Sequence, residues 1–208
     1  MGYTHYITRK QINHDQTTWD KLIVDCKTLY KNMPEYSHSS GDYSGNDPLF
    51  LSGCYEHDKP QFTKSQVVFN GSNGLKRIKR IGPNDKGQKS IEWLDAKSDN
   101  DNLNNLGHET FVLCRKTWIQ PDYRNDKQTL FSFCKTARKP YDLMVQACLI
   151  LYKFYFKDDV SISSDGDDED WSEAFKFIAT ALLHGKEIGI EMLLESLDKT
   201  LFEKNIAL

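Results

Sequence analysis

The period at which apolar side chains recur divides the chain into helical and extended stretches. Tyr3 to Thr8 is dense in aromatic and β-branched residues and predicts a strand. A stripe at helical spacing follows: Trp19, Leu22, Ile23, Cys26, Leu29 and Tyr30. It predicts a helix capped by Asp15 or Thr17, running to about Met33 and stopped by Pro34. Short strand-like pieces come next, at Phe50 to Tyr55, Ser65 to Phe69, Ile91 to Leu94, Thr110 to Lys116 and Leu130 to Lys135. Turn chemistry separates them, notably at Asn70 to Gly74 and Ser98 to Gly107, which argues for antiparallel hairpins. Pro140 opens a second helix to about Phe156, with Leu143, Met144, Ala147, Cys148, Leu151 and Phe154 as its buried stripe. A strand at Val160 to Ser163 and two helices, about Asp170 to His184 and Ile190 to Glu203, complete the pattern.

No regular βαβ alternation, phosphate loop or G-x-G-x-x-G turn interrupts it. The expected fold is therefore α+β: one domain over 1–208, with a mixed, mainly antiparallel sheet flanked by about four helices. Residues 36–48 are Ser, Gly, Asp, Asn and His rich and offer almost no apolar surface, so they read as a mobile polar loop.

Composition changes this picture little. A chain of 208 residues with 38% hydrophobic and 12% aromatic content has enough apolar surface for a packed core. A net charge of −3 gives no overall pull toward nucleic acid or anionic lipid, so contact with phosphate must be local and nucleic acid is not the expected partner. No run of about 18 apolar residues and no secretory leader is present, which points away from a membrane and toward a cytoplasm. Five scattered cysteines, odd in number and without a C-x-x-C pair, read as free thiols and give no metal framework.

The densest polar chemistry lies in Phe133 to Asp142. There Lys135, Thr136, Arg138 and Lys139 come immediately before a helix. Cations at the positive end of a helix are mildly unfavourable, by about 0.3–1 kcal/mol each, unless an anion sits among them. Backbone N–H groups, the Thr136 hydroxyl and the cationic side chains could cradle a phosphate, with Asp142 as the competing local partner.

In Gly107 to Phe111, His108 and Glu109 can act as acid and base or hold a sugar hydroxyl; ordinary loop hydrogen bonds are the plainer account. His5 and Tyr6 lie in the first strand, where a buried His is more often structural. Asn70 reads as part of a hairpin turn. The acidic run Ser163 to Trp171 suits helix capping better than calcium, because Gly166 stands directly after Asp165; Asp165 is its best candidate to reach a pocket. The basic run Leu75 to Gly82 reads as a solvated hairpin.

In the order GYTHY, FNG, HETF, FCKTARKPYD and SDG, these stretches resemble a family of uncharacterised proteins from bacteriophages and their hosts. Members often carry Trp where this chain has Ile7. The resemblance carries no established activity and no cofactor. It implies a phage accessory protein acting in the host cytoplasm, against host defence or on nucleotide metabolism.

Three readings remain open. The first is a module binding a small phosphorylated, nucleotide-like ligand through Lys135, Thr136, Arg138, Lys139 and Asp142, with Tyr6 or Tyr141 and Asn70 nearby. The second is a hydrolase or transferase on such a ligand, with His5 or His108 as base and Glu109 or Asp165 as partner. The third is an inhibitor that docks to a host protein. A shared concave face carrying His5, Glu109 and Lys135 is the geometric expectation common to the first two.

Overall fold

The computed structural model describes residues 2–40, 43–55, 58–72, 77–83, 89–95, 106–117, 120–121 and 128–183. The chain opens with β1 (Thr4–Arg9) and α1 (Gln16–Lys31). Asp15 caps α1 by accepting the Thr18 backbone N–H at 2.8 Å, and Trp19, Leu22, Ile23, Cys26 and Leu29 are its buried stripe, as the spacing predicts, whereas Tyr30 of the expected stripe is exposed.

Next come β2 (Glu35–Ser40) and β3 (Tyr43–Pro48), paired antiparallel from Glu35↔Pro48 to Ser40↔Tyr43. Residues 36–48, expected as a mobile polar loop, carry regular backbone pairing instead of a structureless connection. The backbone ladder forms although the sequence shows no apolar alternation, because ladder hydrogen bonds need only extended backbone.

A four-stranded sheet is built on β6 (Gln66–Ser72), which pairs with β4 (Phe50–Ser52), β5 (Gln61–Phe62) and β9 (Phe111–Cys114). Between β6 and β9 in sequence, β7 (Arg77–Pro83) and β8 (Lys89–Asp95) form a hairpin, consistent with the reading of the basic run. Two short pieces, β10 (Gln120–Pro121) and β11 (Gln128–Thr129), pair with each other.

The second principal sheet has β12 (Phe131–Lys135) and β13 (Val160–Ser164) on either side of β1, all antiparallel. Its register sets His5 opposite both Cys134 and Ser164. Against it lies α2 (Asp142–Phe156), and α3 (Ser172–Leu183) closes the described part of the chain. These are three α-helices among the described residues; the helix expected over 190–203 falls outside them.

α2 differs from its expected role as an amphipathic helix flanking the sheet. Val145, Gln146, Leu149 and Ile150 are buried as well as the predicted stripe positions Met144, Ala147, Cys148 and Leu151. A helix apolar on nearly every side is a core element. Its side chains share one cluster with Ile7, Cys134 and Val160 of the three-stranded sheet and with Val67, Phe69, Phe111 and Leu113 of the four-stranded sheet. α2 is thus the common backing of both sheets, which fixes where its N-terminus lies relative to β1, β9 and β12. No helix among the described residues is long and apolar enough to cross a membrane.

Candidate functional site

Polar side chains from five separated stretches meet where β12 ends and α2 begins. The backbone of Lys135 is held from both sides: its N–H donates to the Glu109 carboxylate at 2.7 Å, and its carbonyl accepts the Glu109 N–H at 3.2 Å. The same carbonyl accepts from His108 Nδ1 at 2.8 Å. A carbonyl cannot donate, so Nδ1 carries the ring proton and neutral His108 keeps an unprotonated Nε2 on an exposed side chain.

Asn70 positions this pair, its amide oxygen accepting the His108 N–H at 3.1 Å and its amide nitrogen donating to the His108 carbonyl at 3.0 Å. The hairpin-turn reading of Asn70 is corrected: Asn70 and Gly71 lie within β6. A Cβ on Gly71 would come 2.1 Å from the Leu106 carbonyl oxygen, so only glycine lets the segment carrying His108 approach this closely. Tyr141 donates its hydroxyl to the Glu109 carbonyl at 2.7 Å. Its ring is fully buried and offers no surface to a ligand, and burial pushes its hydroxyl pKa upward.

The turn between β12 and α2 does not form the expected backbone cradle. The N–H groups of Thr136 and Ala137 both donate to the Tyr3 carbonyl, those of Lys139 and Asp142 close turns on Thr136 and Lys139, and the Thr136 side chain is wholly buried. These backbone donors are spent inside the protein, and the buried Thr136 hydroxyl has no hydrogen-bond partner among the described residues.

Arg138 is also engaged. Its guanidinium forms a two-pronged pair with Asp170, one prong at 3.0 Å, and lies 4.1 Å over the Tyr3 ring. The Arg138 hydrogen bond holds the Asp170 carboxyl below its usual range. Gly166 makes room for this arrangement, since a Cβ there would sit 2.2 Å from the Asp170 carboxylate. By contrast, the ammonium groups of Lys135 and Lys139, both half-buried, have no acid partner among the described residues.

Strand alternation splits the remaining candidates between two faces. His5 points inward, is fully buried, and donates from Nε2 to the Asp142 carboxylate at 2.7 Å; its Nδ1 has no partner among the described residues. Trp171 and Tyr3 close over the His5 ring edge-on, with centroids at 5.2 and 5.0 Å. Tyr6, the next residue, faces outward and donates its hydroxyl to Asp165 at 2.9 Å, which lowers the Asp165 pKa. The expectation of one shared concave face is therefore corrected: His5 and Asp142 belong to the interior, Tyr6, Asp165 and Lys135 to the outer face, and Lys135 stands at its rim, where β12 ends, His108 and Glu109 bond its backbone, and Lys139 follows in the turn.

Sequence reasoning missed Tyr3, Gln146 and Asp170, which complete the interior network: Gln146 donates to the Tyr3 hydroxyl at 3.3 Å and to the Asp170 carbonyl at 3.1 Å. A polar Gln146 inside the apolar run of α2 was the available signal.

Among the described residues no group of three His, Cys, Asp or Glu side chains is placed to hold a metal ion. A shallow open hollow of about 420 Å³ lies elsewhere, lined by Thr17, Asp20, Lys21, Val24, Asp25 and Tyr155, and none of the sequence-predicted site residues borders it. Comparison with known family models, curated proteins and solved structures finds no match to this chain.

Proposed function

We propose that the protein binds a small phosphorylated ligand at the rim where β12 meets α2, with Lys135 and Lys139 as its charge partners and His108 as a neighbouring polar contact. The observation that carries this reading is the contrast among three clustered cations. Arg138 is taken by Asp170, whereas the ammonium groups of Lys135 and Lys139 have no acid partner among the described residues. An anion bound by them would gain charge-assisted hydrogen bonds that the protein itself does not supply. Asn70 and Glu109 act as positioning residues for the rim, and His5, Thr136, Arg138, Tyr141 and Asp142 act as its support. In the setting that the motif resemblance implies, such a module would sequester or sense a nucleotide-like signal in a phage-infected cell.

Isothermal titration with pyrophosphate, ribose 5-phosphate and nucleoside phosphates tests this reading. The Lys135→Ala/Lys139→Ala variant should lose at least about tenfold in affinity with an unchanged melt, since each charge-assisted contact contributes about 1.5–3 kcal/mol. Equal affinity in wild type and variant would defeat the proposal.

One observation favours a second reading, a hydrolase or transferase on the same ligand. His108 is oriented by its Nδ1–H bond so that Nε2 remains an exposed base. Product formation from the same panel, abolished in His108→Ala but retained in His5→Ala material that still folds, would establish it.

A further inference from the structure

The outer face of the β12–β1–β13 sheet carries a row of aromatic rings for which the fold has no use. Phe131 and Phe133 are 42% and 58% exposed. Tyr6 stacks on Phe131 at 6.2 Å with an interplanar angle of 20°, and Phe131 touches Phe133 at 6.2 Å. Tyr6 is held in place by its hydrogen bond to Asp165, so the row is preorganised. Thr8, Ser161 and Ser163 border it as exposed hydroxyls on the neighbouring positions of β1 and β13. Strand alternation puts Lys135 on this same face, two residues and therefore ~7 Å beyond Phe133.

We infer that this face is a stacking platform for the planar base of a nucleotide, whose phosphate reaches Lys135 at the end of the row. The inference rests on the phosphate-site reading and names the ligand class it takes: a base-bearing phosphate rather than a bare or sugar phosphate. Three features select this occupant over a protein partner. Phe131 and Phe133 together expose about one whole side chain's surface, on the order of 200 Å², whereas a stable protein interface covers about 800 Å² per partner. Hydroxyls surround the rings, and these suit the polar edges of a base. Lys135 closes the end of the row beyond Phe133, which matches a ligand that is aromatic at one end and anionic at the other. Stacking on a sheet face also tolerates different bases, because each has a π-face.

The test compares binding of AMP, UMP, adenosine and ribose 5-phosphate to wild type, Phe133→Ala, Phe133→Trp and Lys135→Ala/Lys139→Ala, with a melt of each variant. Phe133→Ala should weaken both nucleotides about ten- to hundredfold and leave ribose 5-phosphate unchanged, and Phe133→Trp should restore binding. The lysine variant should weaken every phosphate and leave adenosine unchanged. Nucleotide binding that ignores Phe133 while still needing the lysines would overturn the stacking platform and spare the phosphate site. Adenosine binding that needs Phe133, with phosphates indifferent to the lysines, would keep the platform and defeat the phosphate site. No binding of any of the four probes to wild type would overturn both.

Discussion

On its inner face the β12–β1–β13 sheet presents His5, Ile7 and Cys134 to α2; one residue further along each strand, its outer face presents Tyr6, Phe133 and Lys135. Both faces mix aromatic, polar and ionisable groups. Inside, those groups are consumed by architecture: His5 is tied to Asp142, Arg9 donates to the carbonyls of Gln11, Ile12, Cys114 and Arg115, and Lys153 donates to those of Lys157 and Val160. Outside, Phe131 and Phe133 remain exposed and Lys135 has no acid partner among the described residues. Residue type alone therefore does not mark a site. What marks it is whether the fold has already used the residue's bonding capacity.

The buried interior should fail under acid first. His14 is buried against Tyr152 and Phe156, and burial lowers its pKa from 6.5 to about 4. The folded state then binds fewer protons than the unfolded state. Stability is full above about pH 6.5 and falls as the pH drops toward the folded value, by about 3 kcal/mol in total. Urea midpoints across this range, compared with His14→Gln, measure it. A wild-type curve parallel to that of the variant between pH 6.5 and 4.5 would show that His14 is not held neutral.

Next in size is the buried dyad. Asp142→Ala leaves the Nε2–H of His5 without an acceptor and should cost about 2 kcal/mol, while Asp142→Asn, which keeps an accepting oxygen, should cost less. Equal losses in equilibrium denaturation would mean that the hydrogen bond is immaterial. A smaller effect belongs to Arg138→Ala, which should lower the melting temperature modestly while leaving phosphate binding intact. Arg138→Lys should not restore the melt, because a single ammonium cannot reproduce the two-pronged pair. Smallest of all, Phe133→Ala should change stability by no more than about 0.5 kcal/mol, as for other exposed positions.

Much of the fold was legible in the chain. The stripe of α1, its Asp15 cap, the start of β1 and the strand after α2 all follow from local periodicity, since burial on one face imposes it. The β2–β3 hairpin was not legible, because its Ser, Gly, Asp and Asn residues show no apolar alternation. Asn70 and Gly71 have the local chemistry of a turn, and the Leu106 carbonyl that requires the glycine lies 35 positions away in the sequence. For the same reason Lys135 and Arg138 looked equivalent: the acid that distinguishes them, Asp170, is contributed by another element. Alternation implies that His5 and Tyr6 face opposite ways, with His5 toward the core or a pocket, and His5 is buried in the interior.

The most direct test of the division between a consumed interior and an available rim is an amide-resolved NMR titration of the full chain with a nucleoside monophosphate. The account predicts saturable shifts at His108, Phe133, Lys135 and Lys139, with the amides of Trp19, Leu149 and Ile150 unmoved. Shifts centred on Thr17, Asp20 and Val24 of the α1 hollow, or none at saturating ligand, would contradict it.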